Sequence, residues 1–130
     1  MCIRDRLIMV PIIIVFIEII IRIKPSSNSK FYYMWTVFVK LSGIKKINSI
    51  VFEDSNPGLK SSLAANLPTI FVPSNIPIVL EENFKLDCIL DSLGDENNVA
   101  NVIKGPKLKK SYVDFSFLSD YLVSFSNAKN

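Results

Sequence analysis

A chain of 130 residues suits one domain, but 49% hydrophobic residues beside 21% charged ones pair a raised apolar content with an ordinary charge density, which points to two unlike parts. With no histidine, Ser-His-Asp and Cys-His nucleophiles, histidine metal ligands and histidine pH switches are excluded, and Cys2 and Cys88 leave no C-x-x-C spacing for zinc or thiol redox chemistry. The net charge of +3 lies wholly in residues 1–30, since residues 31–130 hold ten basic and ten acidic groups, so the basicity is no pointer to nucleic acid.

Residues 7–23 hold nine isoleucines in a nearly unbroken apolar run, with Arg4 and Arg6 ahead of it and Lys24 behind. A membrane-spanning helix wants about 20 apolar residues. This run is shorter, carries Pro11 and Glu18, and is not followed by the small residues of a signal-peptide cleavage site. Three readings stay open. One is a membrane anchor. Another is one or two buried strands, which the β-branched excess suits, with Pro11 as the break. The third is a segment that is not natural coding sequence, because Met1-Cys2-Ile3-Arg4-Asp5-Arg6 resembles a peptide that arises when sequencing-adapter bases are translated. Residues 1–25 are accordingly set apart from residues 26–130.

Residues 25–28 form a polar break. Over residues 30–41, Tyr32, Trp35, Phe38 and Val39 recur at spacings near three and four, which predicts a helix stopped by Ser42 and Gly43. Residues 49–52 read as a short strand ending abruptly at Glu53-Asp54-Ser55. A helix is predicted over residues 57–65, with Ser55 or Asn56 as its cap, Pro57 in its first turn, and Leu59, Leu63 and the alanines as its packing face. Residues 69–72 give a second strand, Pro73 and Pro77 mark a loop, and residues 88–90 give a third strand, in which a buried thiol at Cys88 is expected. Strands and helices alternating at this interval predict an α/β fold with βαβ units on a parallel sheet. Residues 94–111 are mostly polar and read as a surface loop; without interleaved aromatics, Lys107, Lys109 and Lys110 are expected to be solvated charges rather than a nucleic-acid contact. Tyr112, Phe115, Phe117, Leu118, Tyr121, Leu122 and Phe125 predict a terminal amphipathic helix whose aromatic stripe faces the core.

The string IVFEDSNPGLKSSLAAN, from Ile50 to Asn66, is the one that carries chemistry. It puts Glu53 and Asp54 at the carboxyl end of a predicted parallel strand, just ahead of a helix, where open α/β sheets place their ligand crevice. Two carboxylates there are hard oxygen ligands suited to Mg²⁺, which takes one or two of them plus waters and phosphate oxygens. Acids ahead of a helix are also favoured by its dipole alone, so the pair equally suits a capping role.

The same stretch resembles the fourth motif of the haloacid-dehalogenase-like hydrolases, in the branch of phosphatases and β-phosphoglucomutases that includes the CbbY-like proteins. That motif is an apolar strand, E-D-S, two variable residues, a glycine, an apolar residue and an alanine-rich helix. Glu53, Asp54, Ser55, Gly58, Leu59, Ala64 and Ala65 match it. Asn66 stands where the family has glycine, asparagine being the next best left-handed helix terminator. Residues 69–72 resemble the family's next core strand and residues 87–93, DCILDSL, its last, so the likeness runs from residue 31 to residue 93.

The resemblance implies a Rossmann-like core of parallel sheet flanked by helices, with Mg²⁺ ligated by Asp54 and supported by Glu53 directly or through water. It implies a small phosphorylated metabolite, such as a sugar phosphate, as substrate, and a cytoplasmic enzyme with no nucleic-acid partner. A lysine, commonly followed by proline, belongs ahead of the helix that precedes the E-D strand. Lys24, before Pro25, is the candidate for this catalytic position, somewhat upstream of its usual place, and Lys30 is the alternative. The family's D-x-D motif, source of the aspartyl nucleophile and the general acid, does not occur in this sequence, nor do the second motif's Ser/Thr and the helical cap. An aspartyl-phosphate route cannot run without its nucleophile. The expectation is therefore the C-terminal part of a hydrolase, with first strand and cap missing, inactive alone; the alternative is a membrane-anchored, non-catalytic Rossmann-like module.

Overall fold

The computed structural model describes the backbone of residues 13–15 and, in full, residues 39–74, 79–80 and 83–129. Their elements are β1 (Ile13–Val15), β2 (Ser49–Glu53), α1 (Asn56–Ala64), β3 (Thr69–Phe71), β4 (Cys88–Leu90), β5 (Val102–Lys104) and α2 (Phe115–Ala128). One sheet takes the strands in the order β1-β2-β3-β4-β5. The first four are parallel, with Val15 opposite Val51, Val51 opposite Thr69 and Ile70 opposite Cys88, and β5 runs antiparallel to β4. The predicted α/β class is the observed one.

Strand residues point alternately to the two faces of a sheet, and both faces here are apolar. Ile50, Ile70, Cys88 and Leu90 pack against Phe117, Leu118 and Tyr121 of α2. On the opposite face, Val51 meets Ala65 and Leu67, and Phe71 meets Leu59 and Leu86. A helix therefore covers each face. Phe117, Leu118 and Tyr121 of the predicted stripe are core, with Leu122 and Phe125 partly buried against them, whereas Phe115, at the solvent-facing start of α2, is exposed; Tyr121 does more than fill space. Buried Tyr121 donates its hydroxyl to Thr69 O at 2.9 Å and accepts from Thr69 N at 3.0 Å.

Helix ends follow local chemistry. Ser55, rather than Asn56, caps α1, its Oγ accepting from Gly58 N at 3.4 Å, with Pro57 in the first turn. At the other end Asn66 takes φ +55°, while Asn66 N donates to Leu63 O and Leu67 N to Ser62 O, the paired bonds of a Schellman stop. Lys46, in a short 3₁₀ turn before β2, donates to Ala65 O at 2.6 Å and so ties that turn to the same helix end. Asn66→Val should cost roughly 1–2 kcal/mol in urea denaturation, because a β-branched side chain opposes the left-handed conformation, whereas Asn66→Gly should cost nothing. Equal stabilities for the two variants would contradict the role given to this residue.

Differences from the sequence reading have local causes. β3 stops at Phe71, one residue short, although Val72 N still donates to Glu53 O at 3.0 Å. Rather than including Tyr112, α2 begins at Phe115, because Asp114 caps it by accepting from Phe117 N at 2.9 Å. Residues 94–111 are not all loop, for residues 102–104 form β5. That strand is held by Asp91, whose carboxylate accepts from Asn101 N at 2.7 Å and from Asn101 Nδ2 at 2.6 Å, a pair of bonds that also holds this acid below the usual carboxylate range. β5 is short and ends on an exposed lysine, the protected form of a sheet edge.

Of the three readings of the apolar segment, the strand is the one with a described counterpart. β1 lies beside β2 and parallel to it. The predicted helix over residues 30–41 lies mostly outside the described residues; residues 39–42 are helical and stop at Gly43, φ +68°. Among the described residues no helix is long and apolar enough to cross a membrane.

Candidate metal centre

Alternation along β2 decides where its terminal acid goes. Ile50 packs toward α2 and Val51 toward α1, so Glu53, two residues beyond Val51, belongs to the α1 face. It is half-buried, and its carboxylate lies directly against Gly58 in the first turn of α1. A Cβ added at Gly58 would overlap that carboxylate. The glycine thus leaves room for Glu53 in this position, and its own backbone angle is ordinary. The first turn of a helix carries orphan N–H groups and the positive end of the dipole, a favourable surrounding for an anion. Asp54, the next residue, has left the strand and is exposed at the carboxyl edge of the sheet. Two residues separate β2 from α1, and the Ser55 cap fixes that short turn.

The adjacent acids consequently differ in setting. One is packed over a helix start and the other is open to solvent. Among the described residues there is no group of three or more His, Cys, Asp or Glu able to hold a metal, so the pair is no self-contained cage of the kind Ca²⁺ or Zn²⁺ requires. Its donor chemistry fits Mg²⁺, which accepts one or two carboxylates and completes its octahedron with water and phosphate oxygens. Of the two, Asp54 has the open carboxylate and Glu53 the packed one.

Gly58→Ala separates the acid's position from the helix itself. Alanine favours a helix by roughly 1 kcal/mol over glycine. The variant should therefore unfold in urea no more easily than the parent, while the Glu53 carboxyl carbon shifts in the NMR spectrum as the side chain swings out. An unchanged carboxyl signal would mean that the contact with Gly58 does not constrain it.

Lys24 and its alternative Lys30 lie outside the described residues, as does Cys2. Three other groups singled out in the sequence have structural settings. Cys88 is fully buried, and burial, aided by the neighbouring Asp87 charge, pushes its thiol up to about 12, which leaves it unreactive at neutral pH. Lys109 pairs with Asp120 at 3.1 Å and Lys110 with Asp114 at 3.4 Å, so these lysines decorate the start of α2 as solvated charges. Two polar residues escaped the sequence reading as tethers. Asn56 donates from Nδ2 to Val79 O at 2.8 Å, pinning the connection after β3 to α1, and Asp91 clasps Asn101 at the end of β4. Their only signal was an amide or acid at the end of a strand or the start of a helix. Searched against family models, curated proteins and solved structures, the chain gives no match.

Proposed function

We propose that this chain is the C-terminal part of a Mg²⁺-dependent hydrolase of the haloacid-dehalogenase-like kind, a phosphatase or phosphoglucomutase acting in the cytoplasm on a small phosphorylated metabolite such as a sugar phosphate. Asp54 is the metal ligand, Glu53 its support, and Lys24 the lysine that holds the phosphoryl group. The observation that carries this reading is the acid pair at the carboxyl end of an interior parallel strand, with a glycine making room for Glu53 over the following helix. A capping role alone accounts for Glu53 but leaves the exposed Asp54 without a task.

The chemistry divides between what the chain holds and what it lacks. Mg²⁺, when bound, offsets the negative charge of the phosphoryl oxygens. Asp54 would supply the anionic ligand and Glu53 would support the ion directly or through water, while the Ser55 cap holds the turn between them and α1. No D-x-D sequence supplies a nucleophile, so the chain alone should hydrolyse no p-nitrophenyl phosphate.

Mn²⁺ titrated into the isotope-labelled chain, as a paramagnetic substitute for Mg²⁺, tests the site. The Asp54, Ser55 and Gly58 amide signals should broaden first, excess Mg²⁺ should restore them, and Asp54→Asn should weaken the effect at least about tenfold, the loss that even outer-shell changes commonly cause. Broadening that begins elsewhere, or that survives Asp54→Asn unchanged, would overturn the proposal.

A further inference from the structure

We draw no further inference here: the strongest candidate, the buried and unpartnered side-chain oxygen of Asn56 in the first turn of α1, belongs to the acid-pair site already described, and with its amide nitrogen committed to Val79 O nothing around it identifies a second ligand.

Discussion

Tyr121→Phe is expected to destabilise the chain by about 2–4 kcal/mol, although it deletes one oxygen atom, because that oxygen satisfies two buried main-chain groups at once. Both bonds go to Thr69, 52 positions away in sequence. Val51 of β2 lies on one side of Thr69, but pairing between β3 and β4 begins only at Ile70 opposite Cys88, so no β4 residue stands opposite Thr69 to replace them. Each buried group left without a partner costs on the order of 1–3 kcal/mol, and some relaxation offsets the sum. Urea midpoints at constant slope give the measurement; a loss below about 0.5 kcal/mol would mean that water fills the gap at almost no cost. Alkali should reach the same lock. Burial raises the phenol above its ordinary 10.0, so the folded state holds the proton more tightly than the unfolded one. Its stabilisation is complete below that pH and declines as pH rises beyond it. In Tyr121→Phe this part of the alkaline decline should vanish.

Leu59→Ala should cost about 2–5 kcal/mol, the usual range for a buried leucine whose cavity only partly collapses. Leu59 is wholly buried among Phe71 and Leu86, with Leu63, Leu80, Phe84 and Ile89 around them, and it follows Gly58 directly. Losing it should loosen α1 from the sheet and, with α1, the surface on which Glu53 rests. Leu59→Met, which keeps the volume, should cost less than about 1.5 kcal/mol. Equal and small losses for both variants would mean that α1 is not anchored through this side chain.

Most of the sheet was readable because its strands are short apolar runs bounded by acids, prolines or glycines. Residues 88–90 come out with the bounds the sequence suggests, and α1 is framed by Ser55, whose hydroxyl caps it, and by Asn66, whose backbone takes the left-handed angle that residue type tolerates. β5 was not readable. Its three residues are one half-buried valine followed by two exposed positions, too little for a period, and what holds it is an acid ten positions earlier in the chain. At the candidate site the sequence named the two acids, and strand alternation adds which way Glu53 faces. It could not give the exposure of Asp54, which depends on where the strand ends, nor the crowding of Glu53 against Gly58, which exists only once the helix has docked. The tether from Asn56 was equally hidden, since a cap and a tether call for the same residue type.

A strand order identical to the chain order has a consequence for synthesis. Each strand pairs with the one made just before it, so the sheet can grow as the chain emerges, and no finished pair need open to admit a later strand. The helix on the α1 face comes early, between β2 and β3. Among the described residues its counterpart comes after the five strands, so the described cover over Ile50, Ile70, Cys88 and Leu90 is the last element to be made. A chain released after Lys104 and lacking α2 would present that apolar face to its surroundings, and a chaperone that recognises apolar β-surface should bind it more strongly than the full chain.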